Sequence, residues 1–226
     1  MAKSKASLVV KTSRASQKRY IARSLADQAN KAFKRSARSS LIAVSNVVFA
    51  AVLYSEEMQS LKSGLLKAEL GLTDGIANSA PNAIASIVAD QVELIPKRVS
   101  VAGNSLRGGM ELNIMPTTAY SQILGIPQGS YTYYSVRYKK AVTINWLEWL
   151  LAKGDSILVA DFDFVSSSKG RSGMGTMQKD AGSWNVPSNY SGTYTDNFIS
   201  RALESKGVQS EITNIIKNNV IRYWGI

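Results

Sequence analysis

The hydrophobic period of this chain changes twice, and that order limits the folds open to it. Up to residue 89 apolar residues recur at three- and four-residue steps, as on helices. From Val92 they alternate, through Leu94, Val99 and Val101 and again through Leu112 and Ile114, as in strands. Near the end the helical step returns, with Ile212, Ile215, Ile216, Val220 and Tyr223 on the inward side of a helix over 210–224. Helices, then strands, then helices predict an α+β chain with long N-terminal helices, a small antiparallel sheet and C-terminal helices. Alternating β/α units are not what this order describes.

The first helix is predicted over 14–38, with Tyr20, Ile21, Leu25, Ala29, Ala32 and Phe33 as a narrow apolar stripe. Ser39 and Ser40 read as a break or cap before a separate apolar helix over 41–54. That run is shorter than the roughly 20 residues a membrane span needs, so no membrane is expected. Leu8–Val10 is too short for the apolar core of a secretory signal. Ser55 followed by Glu56 and Glu57 is an N-cap signature for a helix over 56–70, which Gly71 closes. Thr73-Asp74-Gly75 reads as a turn, and 80–89 as a short helix. Pro96 interrupts the first strand, and 116–129 is a loop or short helix.

Charge divides the chain at residue 40. Residues 1–40 hold eleven Lys/Arg and one acid, Asp27, whereas 41–226 hold sixteen basic and fifteen acidic residues. Nearly all of the net charge of +11 therefore sits in one arm, predicted as a basic N-terminal segment (1–40) ahead of a single α+β domain (41–226). Its Arg14, Lys18, Arg19, Arg23, Lys31, Lys34, Arg35 and Arg38 suit phosphate or an acidic protein surface without sequence preference. A solvated helix face is the plainer alternative.

The chain has no cysteine and no histidine, which removes disulfides, thiolate metal sites and the usual general base near neutral pH. Asp161 and Asp163 flank Phe162 in a predicted strand, so both carboxylates fall on one side and could hold Mg²⁺ or Ca²⁺. No third acid accompanies them, and a polar strand face pairing with Lys or Arg is the simpler expectation. Gly170, Gly173 and Gly175 with Lys169 and Arg171 match neither phosphate-binding loop pattern and read as a hairpin turn, or as a loop that a partner orders. Tyr131, Tyr133, Tyr134 and Tyr138 beside Arg137, Lys139 and Lys140 could stack on bases, or simply line a strand with wet hydroxyls. Neither a catalytic constellation, a metal site nor a cofactor site is predicted.

Residues 144–203 carry three of the four tryptophans and the most distinctive wording of the chain. They contain W-L-E-W-L-L-x-x-G-D (146–155), R-S-G-x-x-x-M (171–177), S-W-x-V-P (183–187) and G-T-x-x-x-N-F-I-x-R-A-L (192–203). With S-L-x-S-G-x-L-x-x-E-L-G-L at 60–72, these motifs resemble those of virion neck and tail-completion proteins of tailed bacteriophages, over about 55–205. The resemblance implies a non-enzymatic head–tail connector component: a homo-oligomeric ring around the DNA channel, in a virion assembled in the host cytoplasm. It implies as partners identical subunits, portal or head-completion proteins, tail-terminator, tube or sheath proteins, and genomic DNA in the lumen. On that expectation Gly192, Thr193, Asn197, Phe198 and Arg201 fix the late turn and helix. Trp146, Trp149, Trp184 and Pro187 serve the core or the subunit interface, and the basic arm meets an acidic neighbour or DNA. A nucleic-acid-binding protein that uses its N-terminal helix is the alternative.

Overall fold

The computed structural model describes residues 13–103, 105–114, 117–135, 139–154 and 156–224. Its order is α1 (Arg14–Leu53), α2 (Glu56–Ser63), α3 (Leu65–Glu69), α4 (Asp74–Asp90), β1 (Glu93–Ala102), β2 (Ser105–Asn113) and α5 (Thr117–Leu124). After a 3-10 turn at Pro127–Gly129 come β3 (Tyr131–Ser135), β4 (Lys140–Ile144), α6 (Trp146–Leu151), β5 (Val159–Ser166), β6 (Gly175–Trp184), α7 (Phe198–Glu204) and α8 (Lys206–Trp224). The chain is α+β. Its strands form three separate antiparallel hairpins, β1–β2, β3–β4 and β5–β6, rather than one small sheet.

The expected break at Ser39-Ser40 is absent: α1 runs unbroken through forty residues, about 60 Å at 1.5 Å per residue. The serines are absorbed because their hydroxyls find partners within the helix or beside it. Ser36 donates to the Phe33 carbonyl at 3.2 Å and Ser39 to the Ser36 carbonyl at 3.1 Å. Ser40 Oγ accepts from Asn219 Nδ2 of α8 at 3.0 Å. Ser36 and Ser40 are fully buried and continue a face of Ala26, Ala29, Ala37, Val44, Val48 and Val52. Small side chains let α8 lie close along this face, and α4 and β1 pack against the same helix.

One 18-residue window of α1 is long and apolar enough to cross a bilayer, with mean hydropathy 1.5. Val44, Val48 and Val52 of this helix are fully buried among Leu61, Ile84, Val88 and Phe198, in the main core. One face of the apolar half of α1 therefore belongs to the core, while Ile42 stays exposed on another.

The helix expected over 56–70 is two helices. At Gly64 the backbone is extended, and Ser60 Oγ accepts from the Leu66 amide at 3.0 Å, which turns the chain so that Leu66 is buried and Leu65 is not. The turn expected at 73–75 instead opens α4, which begins at Asp74 behind Thr73 and contains Pro81. At the C-terminus α8 starts four residues earlier than the period suggested, and Trp224, not Tyr223, packs against the cluster of Ala26, Ala29 and Val99.

The β1–β2 hairpin is fixed to α1 by one side chain. Asn30 Nδ2 donates to the Val99 carbonyl at 3.0 Å, and Oδ1 accepts from the Val99 amide at 2.7 Å. Both bonds fall where the β1–β2 register shifts between Lys97 and Ser100, so Asn30 replaces a missing strand partner. Gly108 lies across from this point at φ +142°, and a Cβ there would stand 2.6 Å from Val99 Cα. Gly108→Ala is expected to lower stability by about 2–3 kcal/mol in urea unfolding. Gly75→Ala, with open space around it in the first turn of α4, should leave the midpoint unchanged or slightly raised.

Candidate functional site

Two regions carry the residues singled out in the sequence. The first is a clasp where the segment after β6 is held between α2, α6 and α7. Gly192 is buried there because its carbonyl accepts from the Gly154 amide at 2.8 Å, and a Cβ would stand 2.3 Å from the Leu150 carbonyl. Thr193 closes the turn: its amide donates to the Asp196 carbonyl and its Oγ1 accepts from the Asp196 amide. Asn197 then caps α7 with a capping box: its Oδ1 accepts from the Ile199 and Ser200 amides while its own backbone amide donates to Ser200 Oγ. Its Nδ2 donates to Tyr120 Oη and the Thr193 carbonyl, both at 2.9 Å, so this fully buried side chain has no idle polar group.

Arg201, one turn into α7, gathers the clasp. It donates to the carbonyls of Asn189 and Ser191 and pairs with Asp196 at 3.1 Å and with Glu57 of α2 at 3.3 Å. Burial pushes the Glu57 carboxyl above its ordinary value, opposed by a backbone hydrogen bond and by the Arg201 charge. Pro187 starts the same segment, its carbonyl accepting from the Tyr190 and Ser191 amides. Phe198 is fully buried in the core.

The tryptophans flank this clasp. Trp146 is fully buried and donates Nε1–H to the Gln128 carbonyl at 2.9 Å. Trp149 and Trp184 lie 5.8 Å apart in a tilted pair. The buried Trp184 indole N–H and a buried Glu69 carboxylate oxygen face each other without a well-aligned hydrogen bond. Burial pushes the Glu69 carboxyl up, and the indole N–H only partly offsets this.

The second region is the projecting end of α1. Between residues 14 and 25 every side chain is exposed except half-buried Ala22. Tyr20, Ile21 and Leu25 are 77%, 57% and 40% exposed, so among the described residues the upper half of the expected apolar stripe stays largely in solvent, with Ile21 and Leu25 on the wall of a groove facing the β1–β2 hairpin. Arg14, Lys18, Arg19, Arg23, Lys31, Lys34, Arg35 and Arg38 are all exposed, and among the described residues none forms an ion pair. Lys31, Lys34, Arg35 and Arg38 are spaced three and four apart, which puts four positive charges on one helix face with neighbouring Cβ atoms about 5–6 Å apart. Lys18, Arg19 and Arg23 line a groove of about 1220 Å³ between α1 and the β1–β2 hairpin, together with Arg98, Val101 and Leu106.

The other sequence candidates fall elsewhere. Asp161 has φ +62° at a register shift between Ala160 and Phe162, so regular alternation does not put it on one side with Asp163. Among the described residues no group of three His, Cys, Asp or Glu could hold a metal ion. Residues 167–174 join β5 to β6 as a hairpin. Its Arg171 lies 4.1 Å from the Tyr131 ring centroid and 5.0 Å from that of Tyr133, which occupies the face that bases would need. Arg137 and Tyr138 lie outside the described residues.

Asn30, Glu57, Glu69 and Tyr120 were not anticipated. Asn30 had a signal, a polar residue beside Ala29 within the Tyr20-to-Phe33 stripe. The partners of Glu57 and Tyr120 lie 144 and 77 positions away, and nothing local to either residue announces them. No protein-family model, curated protein or solved structure matches this chain.

Arg201→Met leaves Glu57 buried without its cation. It is expected to cost about 2–3 kcal/mol, below the 3–5 kcal/mol of fully buried pairs because the guanidinium is about a third exposed. Arg201→Lys should recover little in the same urea titration, since one ammonium cannot replace the fork. Glu69 binds its proton more tightly in the folded chain, so its contribution is fully favourable below the ordinary carboxylate range and declines as pH rises through the raised value. Glu69→Gln should therefore raise the urea midpoint at pH 7 and flatten its decline between pH 4 and 7.

Proposed function

We propose that this protein is a structural component of a tailed-phage virion, part of the neck or head–tail connector of the tail-completion type, working as a homo-oligomeric ring around the DNA channel. The observation that carries the proposal is the projecting end of α1. A helix continuous with the core extends a basic arm whose Tyr20, Ile21 and Leu25 are 77%, 57% and 40% exposed among the described residues. Exposed apolar side chains and unpaired like charges in one rigid element suit a protein completed by its neighbours. The clasp supports the same proposal, because the G-T…N-F-I-x-R-A-L wording on which the resemblance rests supplies its buried joints: Gly192, Asn197 and Arg201. In this role the arm meets an acidic neighbour or lumenal DNA, and portal, terminator, tube or sheath proteins bound the ring.

One observation favours a second function, a nucleic-acid-binding protein. The four charges of Lys31, Lys34, Arg35 and Arg38 form a phosphate-sized positive face. Light scattering on the full chain, at low and physiological salt, with and without duplex DNA, separates the two. A connector protein is expected as an assembly of fixed stoichiometry whose mass does not depend on duplex at physiological salt. A 24.5 kDa monomer that gains mass only with DNA, and loses that gain on adding salt, would replace the connector with the nucleic-acid binder.

A further inference from the structure

The tip of the β1–β2 hairpin leaves a strand edge open beside α1. Ala102 and Ser105 close the hairpin, and a pair so near the turn exchanges both ladder bonds. Bonded and non-bonded pairs alternate, so at the next pair, Val101 and Leu106, the N–H and C=O of Val101 point away from β2. That outer edge faces α1, because two residues earlier Val99 turns both of its groups to Asn30. Asn30 thus completes the edge at Val99. One turn earlier on α1 stands Ala26, which has no polar group to do the same for Val101.

The open edge belongs to one wall of the groove of about 1220 Å³ between α1 and the hairpin. Small-molecule pockets occupy roughly 300–1,000 Å³, so an opening of this size suits a length of chain. Its lining decides which kind. Lys18, Arg19, Arg23 and Arg98 stand there against one acid, Asp27, and among the described residues none of the four cations forms an ion pair. Ile21, Leu25 and Leu106, on the same walls, all keep part of their apolar surface in water. Among the described residues no aromatic ring lines the groove, so it lacks the stacking platform that single-stranded nucleic acid uses. Residues 1–12 of the chain itself, with Lys3, Lys5 and Lys11 and no acid, would add charge of the same sign.

We infer that this groove takes an extended acidic segment of a partner protein, added as a strand to β1 at Val101. The segment sets aliphatic side chains against Ile21, Leu25 and Leu106 and turns its carboxylates to Lys18, Arg19, Arg23 and Arg98. Main-chain bonds hold such a strand, and its alternate side chains supply the selectivity. The inference rests on the reading of the basic arm as the part that meets an acidic neighbour, and it does not require the ring.

The probe is a soluble, fluorescein-labelled peptide of alternating Glu and Val, titrated into the full-length protein at physiological salt and followed by fluorescence anisotropy. It should bind, and a peptide of alternating Lys and Val should not. Arg23→Glu with Arg98→Glu should weaken binding by about tenfold or more. Leu25→Asp should weaken it as well, with native helicity confirmed by circular dichroism. In the complex the Val101 amide should exchange with solvent at least about tenfold more slowly, whereas the Val99 amide, already bonded to Asn30, should be unchanged. Binding that survives the charge reversals, or a Val101 amide left unprotected in the complex, would overturn the inference. An oligothymidylate that binds where the acidic peptide does not would overturn it in favour of the nucleic-acid binder. If neither probe binds, the groove is no docking site, and light scattering still decides the ring separately.

Discussion

The packed face of α1 is the constraint on which the rest of the structure depends. It is built from alanine, serine and valine, and small residues at three- and four-residue steps let other elements come close. α8 lies against it where Ser40 meets Asn219, and the β1–β2 hairpin is fixed to it where Asn30 meets Val99. Each docking adds a polar contact to an otherwise featureless surface, and those contacts set the register that hydrophobic burial alone leaves free. A larger residue at Ser36 or Ser40 would bury more apolar area, but it would push α8 outward along its whole length.

The same composition explains why the helix stops being buried above Ala26. Alanine has little area to bury, so the stripe of Ala26, Ala29 and Ala32 holds only while larger groups such as Phe33, Val99, Val101 and Trp224 close around it. Beyond Ala26 an open groove separates α1 from the hairpin, and Ile21 and Leu25 on its wall stay 57% and 40% exposed. The clasp is the opposite case. It buries polar groups, and it is stable because almost all of them are satisfied: every hydrogen-bonding group on Asn197 is used, and Arg201 joins segments from α2 to α7.

Much of the fold could be read from periodicity: β1 begins at Glu93, beside the change at Val92, and α8 spans the returning helical step over 210–224. Where the sequence misled, a local rule lost to a tertiary contact. Ser39-Ser40 looks like a break because serine hydroxyls compete with helical hydrogen bonds, yet here those hydroxyls bond within α1 or to α8. The boundary drawn at residue 40 by the charge asymmetry consequently falls inside a single helix. The helix expected over 56–70 passes through Gly64, yet Ser60 accepts from the Leu66 amide across it and starts a new turn. The Asp161–Asp163 pair looked like alternating neighbours, but a register shift intervenes, and period-two arguments end at such a shift. The clasp was legible as wording, from Gly192 to Arg201, and its partners were not, because Glu57 and Tyr120 reach it from distant parts of the chain.

Continuity of α1 also changes what the basic arm is able to do. A separate flexible tail would attract anions over a wide radius but would lose conformational freedom whenever it bound. An arm that is the first third of a core helix is already ordered, so contacts made by Ile21 or Lys18 need not offset that entropy. Its direction is fixed by Asn30, Ser36 and Ser40, the residues that seat the hairpin and α8. Whatever holds the arm is therefore held at a defined angle to the body. In an assembly of identical copies that angle, more than the affinity of any one contact, determines whether the series closes on itself.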